Sequence, residues 1–425
     1  MFATLKNAWK IEELRKKIIF TLLIILIYRL GNAVPVPYVD TVLLQSYFTS
    51  VQNTVLGLWN TMSGGSFAHA TIFALSIQPY INASIIIQLL TIAIPALERL
   101  QKEGGEDGKK KIAAITRYST VAIGLLQGYG YYMLIMKNNM LTADGTGVWP
   151  AIVIIMTFMA GSALIMWLGE QITEFGVGNG ISIILFASIV SRFPGSLINM
   201  FTNIVTGKLK WWILVLIVLI VIVNDAERRL PVQYSKRVVG RKLYGGQSTH
   251  LPMKVNMSGV LPIIFAQSFA SLPATIGAFV AQSQVEGTGW YKFVNFFDTD
   301  SVFYAVVYFL LIIFFSYFYA TVQFNPVEIA NNLKKNGGFI PGFRAGKPTS
   351  EFIQKVLNKI TLFGAIYLGI IAVTPIMIDV FSEAATLTGI SLGGTSIIIV
   401  VGVAIETIRA IESQMLMRNY KGFLS

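Results

Sequence analysis

Apolar runs close to the ~20 residues that an α-helix needs to cross a bilayer recur along the whole of this chain. They lie at 18–37, 71–95, 118–136, 148–168, 181–201, 211–223, 260–280, 302–324, 357–378 and 391–411. The fifth and tenth are broken by Ser, Gly, Pro or charge, and the sixth is short enough that its start must lie in the preceding loop. Only 13% of the 425 residues are charged, about half the share of a soluble domain. The chain reads as an all-α polytopic membrane protein. The first stretch, MFATLKNAWKIEELRKK, is polar and amphipathic and leads straight into the first apolar run, so no cleavable signal is expected.

Charge sets the orientation. The segments on the side of the N-terminus are 1–17, 96–117, 169–180, 225–259, 325–356 and the tail, with Lys359 and Arg409 assigned there too. They hold 27 of the 33 Lys and Arg, and carry +13 against −1 on the other side. By the positive-inside rule both termini and the long loops face the cytoplasm. Ten spans with both ends inside divide into five plus five, at 1–205 and 206–425. Five is odd, so the second half enters the membrane inverted, an architecture that puts a pathway between the halves. This inference comes from counting, since no convincing identity links the halves.

One stretch looks like a working part. SGGSFAHATIFALSIQPYINASIIIQ, 63–88, begins with Gly64 and Gly65 and turns into an apolar run in which Ile77, Ile81 and Ile85 share one helical face. Pro79 favours a kink, and Asn82 puts an amide at membrane depth. A kinked, packed bundle helix is the plainer reading. Of the loops, 98–111 reads as a solvated charged turn and 169–180 as a short glycine-rich link. The loops at 225–256 and 325–355 are basic and too long to be simple connections; GRKLYGG and PGFRAGKP look like their tips. Arg29, in the outer part of span one, is expected to snorkel to the interface.

Several function classes recede. The chain has no cysteine and only two histidines, His69 and His250, far apart in sequence, so no metal site or cofactor is expected. Glu170 and Glu174 are the nearest carboxylate pair, and they fall in a cytoplasmic loop; no catalytic constellation is seen. No GxxxxGK[ST] phosphate loop occurs, so any driving energy comes from outside. A secondary transporter is the alternative that shares inverted repeats, but its midplane site usually carries charged or ion-coordinating groups, and this chain offers isoleucines there.

The stretches RLGNAVPVP, SGGSFAHATIFALSIQPYINASIIIQLL, WLGEQITEFGVGNGISI, GRKLYGGQSTHLPMKVNMSGVLP, FNPVEIANNLKKNGGFIPGFRAGKPT and GGTSIIIVVGVAIE resemble, in order and along the whole chain, the SecY family of protein-conducting channels. The resemblance implies an hourglass pore between two five-helix halves, through which unfolded polypeptides cross the bacterial cytoplasmic membrane and transmembrane segments leave sideways. It implies a pore ring of Ile77, Ile81, Ile181, Leu185, Ile264 and Ile399, with Leu185 standing where isoleucine is common. Such an apolar constriction excludes ions by dewetting. It implies a plug, a short re-entrant helix over 57–69 that includes Gly57, Ser63, Gly64, Gly65, Phe67 and His69. Asn82, Gln88 and Asn256 match the lateral gate, where ordinary interhelical amide contacts are the plainer reading. Arg241, Lys242, Arg344 and Lys347 match the cytoplasmic docking tips, with Lys242 standing where a second arginine is frequent. The implied partners are SecE and SecG, the motor ATPase SecA, the ribosome through its RNA, signal sequences, nascent polypeptides and membrane lipid.

Overall fold

A computed structural model describes residues 2–50, 55–102, 104–191, 212–234, 237–239, 242–244, 248–256, 259–273, 289, 301–381 and 394–421. The chain forms two compact units. The first comprises Met1–Leu209, Ala270–Tyr304 and Ile378–Ser425, and the second Lys210–Phe269 and Ala305–Met377.

The first unit contains α1 (Phe2–Lys10), α2 (Glu12–Gly31), α3 (Thr41–Ser50), α4 (Val55–Met62), α5 (Gln78–Ala93), α6 (Pro95–Lys102), α7 (Gly105–Lys137), α8 (Val148–Phe175) and α9 (Gly180–Val190). On α2 the buried stripe is Leu14, Thr21, Ile24 and Tyr28, whereas Leu22, Leu26 and Leu30 on the other side are 55–62% exposed. A helix with hydroxyls inside and leucines outside is made for a lipid solvent. α7 and α8 pack against each other. Their contact is built on small residues: a Cβ on Gly128 would stand 3.3 Å from the Ile155 carbonyl, and one on Gly124 would stand 3.0 Å from Ser162 Oγ, the close approach typical of membrane helices.

Three expectations about this unit are corrected. Pro79 does not kink a helix; it sits in the first turn of α5, whose N-cap is Ile77, where its missing N–H breaks no bond. The sharp bend comes lower, at Pro95, where α5 and α6 meet at 105°, as the bias of a pre-proline residue away from helix favours. The two short links at 98–111 and 169–180 are largely helical. α6 and α7 are separated only at 103–104, and α8 runs on through Glu170 and Glu174 to Phe175. There Arg117 Nε donates to Glu170 Oε1 at 2.9 Å, a hydrogen bond that raises the arginine pKa.

The second unit contains α10 (Trp212–Asp225), β1 (Glu227–Tyr234), β2 (Arg237–Val239), β3 (Lys242–Tyr244), β4 (Ser248–Lys254), α11 (Leu261–Ala270, whose last residue belongs to the first unit), α12 (Val302–Gln323, whose first residues belong to the first unit), α13 (Pro326–Lys335), β5 (Gly338–Phe339) and α14 (Lys347–Phe381, whose last four residues belong to the first unit). The long loops are therefore structured. β1 pairs antiparallel with β4 through Leu230↔Leu251 and with β5 through Gln233↔Phe339, so one sheet joins both loops. Alternation explains β1: Leu230 and Val232 are buried while Arg229, Pro231 and Gln233 face outward. The buried face packs with Met253, Ile340, Ile353, Val356 and Leu357, largely on the first turns of α14. α15 (Gly394–Lys421) returns the chain to the first unit, packing on α9 and α1.

By length and composition, three described helical stretches (Val148–Phe175, Val302–Lys335 and Lys347–Thr374) are each apolar enough to cross a membrane, and the bent α5–α6 pair is a fourth if its two helices count as one span. The expected spans at 181–201 and 260–280 continue into residues outside the described set.

Candidate functional site

The expected plug is not one short helix over 57–69. α4 ends at Met62, and residues 63–77 form almost nothing but turns. Four of them, Gly64, Gly65, Ala70 and Ser76, have φ between 42° and 94°. The two alanine and serine positions store strain of the kind found at switch segments. The turns close on themselves: Phe67 N–H donates to Ser63 Oγ at 3.1 Å, and Ala68 N–H donates to Asn60 Oδ1 at 3.0 Å. Gly57 is buried within α4, and its carbonyl accepts from Thr61 Oγ1 at 3.0 Å. His69 is exposed.

Phe67 anchors this segment to the helices behind it. Its ring stacks on Tyr131 with centroids 4.1 Å apart, and meets Phe48 and Trp59 edge-on. Tyr131 also donates its hydroxyl to the Phe67 carbonyl. Tyr131 was not singled out from the sequence. The signal available was GYGYY, 128–132, a cluster of hydroxyls at membrane depth that must find partners.

The ring residues can be placed individually. Ile77 and Ile81 are buried at the start of α5, with Ile81 N–H bonded to the Ile77 carbonyl at 3.1 Å. Beside them Gln78 Nε2 reaches Met62 Sδ at 3.3 Å, which ties the mouth of α5 to the end of α4. Leu185 and Ile399 are buried on α9 and α15, which pack together, and α4 packs on α9. Ile181 is half-buried, with Cγ1 lying 3.3 Å from where a Cβ on Gly169 would stand. Ile264 is buried within the second unit.

Arg29 is half-buried and has protein acceptors. Its Nη2 donates to the Ala187 carbonyl and reaches the Ser188 carbonyl at 3.5 Å, at the C-terminal end of α9, where the helix dipole favours a cation. Tyr28 Oη and Ser188 Oγ share a hydrogen bond of 2.6 Å.

The polar gate candidates have local partners. Gln88 Nε2 donates to Ser84 Oγ at 3.2 Å, and Asn256 Nδ2 donates to Asn224 Oδ1 at 3.0 Å. Asn82 is half-buried on α5. Of the docking candidates, Arg344 is exposed between Gly342 and Gly346, at φ 88° and 106°, and Thr349 Oγ1 fastens its carbonyl at 2.7 Å. Lys347 begins α14, with Nζ 4.0 Å from Glu351. Arg241 lies outside the described residues, as does the side chain of Lys242. No group of three or more metal-ligating side chains occurs among the described residues.

Helices apolar and long enough to cross a membrane, with Thr21 and Tyr28 buried on α2, and a strained segment packed beside the buried isoleucines of α5 fit a multi-pass membrane protein of the channel class. The SecY family model matches residues 71–408, and the chain belongs to that family. The protein translocase subunit SecY of Streptomyces griseus is 45% identical over the full length of both chains. That of Aquifex aeolicus is 39% identical over 99% of each. Among solved structures, one described as a protein conducting channel aligns with a TM-score of 0.65 at 16% identity, over 94% of this chain and 92% of that one. Sec61 from a canine ribosome–channel complex aligns at 0.60 and 14% identity, over the same shares.

Proposed function

We propose that this chain is the pore-forming subunit of a bacterial protein translocase, passing unfolded polypeptides across the cytoplasmic membrane and releasing apolar segments sideways into lipid. Family membership over the full length supports the reading. The observation that carries it is the buried Ile77–Ile81 step of α5, tied through Gln78 and Met62 to a strained segment that closes beside it. Isoleucine side chains form a dry ring that yields around a peptide and dewets without one. Ile181, Leu185, Ile264 and Ile399 complete the ring in this proposal, and residues 57–69 act as the movable outer seal.

The remaining assignments belong to the same proposal. Residues 1–205 and 206–425 are the two inverted halves, both termini face the cytoplasm, and Asn82, Gln88 and Asn256 line the sideways exit. SecE and SecG are the small membrane partners. Arg344, Lys347, Arg241 and Lys242 meet SecA or ribosomal RNA. A canine relative of similar fold is described in a ribosome–channel complex, and a yeast Ssh1 complex on the 80S ribosome, which supports a ribosome as one partner. The chain is assigned no catalytic step of its own. The test is co-purification with SecE, followed by preprotein uptake into vesicles holding the purified complex and SecA. Uptake of preprotein supports the assignment; uptake of small solutes without preprotein transport overturns it in favour of a transporter.

A further inference from the structure

Gly64 and Arg29 meet at one atom. Gly64 has φ +70°, and a Cβ built on it would stand 2.6 Å from the Ser188 carbonyl oxygen and 3.0 Å from Ser191 Oγ, so the glycine backbone lies flush on the last turn of α9. The same Ser188 carbonyl accepts from Ser191 Oγ at 2.6 Å and is reached by Arg29 Nη2 at 3.5 Å. Arg29 also takes the Ala187 carbonyl, and Tyr28 holds Ser188 Oγ from the preceding position on α2. Two neighbouring residues of α2 thus clamp the end of α9 on which the turn segment rests.

We propose that Arg29 is a positioning residue for the outer seal: its guanidinium, bonded to the Ala187 carbonyl, holds the last turn of α9 on which Gly64 seats, so the closed state is held through α9 by a cation on α2. The proposal rests on the reading of 57–69 as a movable seal. Its physical basis is that a cation is favoured at the negative end of the helix dipole, here beside the Ala187 carbonyl, which also accepts from Ser191 N–H at 3.3 Å. Without the cation the last turn of α9 loses its charged tie to α2, and the seat for Gly64 loosens. A glycine is the residue that can lie on such a seat, because any side chain there would strike the carbonyl and would also disfavour the positive φ.

The test combines resting ion conductance in planar bilayers with hydrogen–deuterium exchange of the assembled channel. In Arg29→Gln the resting conductance is expected to rise about tenfold, the effect of losing a charge-assisted hydrogen bond. Exchange should quicken over 60–70 and stay unchanged over 148–175. Arg29→Lys, which keeps the cation, should remain near the unaltered channel in both readouts, and Gly64→Ala should reproduce the leak from the other side of the contact. An Arg29→Gln channel as tight and as protected as the unaltered one overturns the proposal. So does exchange that quickens equally over 148–175, because it shows a general loss of packing. A channel lacking 57–67 that conducts no more than the intact one removes the seal reading. In that case faster exchange confined to 60–70 in Arg29→Gln still supports the clamp.

Discussion

Tyr131 holds Phe67 twice, donating its hydroxyl to the Phe67 carbonyl while the two rings stack 14° from parallel at 4.1 Å. Both residues are buried, so the contact couples α7 to the turn segment after α4 without help from solvent. The two halves of the contact are separable. Tyr131→Phe keeps the ring and removes one of two donors to the Phe67 carbonyl, which still accepts from Ala70 N–H at 3.2 Å, a cost of about 0.5–1.5 kcal/mol. Resting conductance should then rise about 2- to 12-fold. Tyr131→Ala loses the ring as well, at about 3–5 kcal/mol. Conductance of the two variants in planar bilayers checks the order, and a silent Tyr131→Phe would mean that the hydroxyl does not hold the segment closed.

The Asn224–Asn256 pair makes a stability prediction. Asn224 is buried, and its Oδ1 accepts from Asn256 Nδ2. Asn256→Leu strips a buried acceptor of its donor and should cost about 1–3 kcal/mol, whereas Asn224→Leu with Asn256→Leu should come close to neutral. Thermal unfolding of the purified protein in detergent measures the difference. Equal losses in the single and double variants would show that the two amides act independently.

Much of this arrangement was legible in the sequence, for definite reasons. Spans such as 148–168 and 302–324 are recognisable because lipid demands long apolar runs, and the observed helices begin at Val148 and Val302. The exposed glycine-flanked tip at Arg344 was equally readable, because Gly342 and Gly346 need positive φ. What hydropathy could not show was where a helix starts within an apolar run. Thr71–Ile77 is as apolar as the helix that follows, and Ser76 at φ 50° with Pro79 in the first helical turn decides the boundary. Nor could charge reveal β1, whose strand period hides among the arginines of a basic loop. The partners of Arg29 were hidden for a different reason: its acceptors, the carbonyls of Ala187 and Ser188, are backbone atoms 158 and 159 residues away.

Gly161 lets the turn segment touch α8. A Cβ there would fall 1.9 Å from the Ile72 carbonyl oxygen, a contact that cannot exist. Gly→Ala within a helix ordinarily gains up to about 1 kcal/mol, so the sign is diagnostic. Gly161→Ala should destabilise by about 1–3 kcal/mol, as overpacking does. A rise in the melting temperature would show that Ile72 gives way freely.

Arg344 is exposed on a tip whose geometry comes from Gly342, Gly346 and the Thr349 hydrogen bond to its own carbonyl. Its side chain therefore contributes little to stability, and Arg344→Glu should leave melting within about 0.5 kcal/mol of the unaltered protein. Charge reversal should nonetheless lower SecA-driven preprotein uptake at least tenfold by repelling an acidic partner. Uptake at matched channel content decides, and normal uptake would return the tip to a topology signal.

The central claim is that a polypeptide passes the isoleucine mouth of α5. A photo-reactive residue placed in turn at Ile81, at Leu185 and at Leu126 on α7, which is 73% exposed, reads the path directly when a preprotein is arrested in transit. Adducts with the arrested chain should form at 81 and 185 and be absent at 126. Adducts at 126 as strong as those at 81, or none at 81 while the preprotein is demonstrably arrested, would contradict the account.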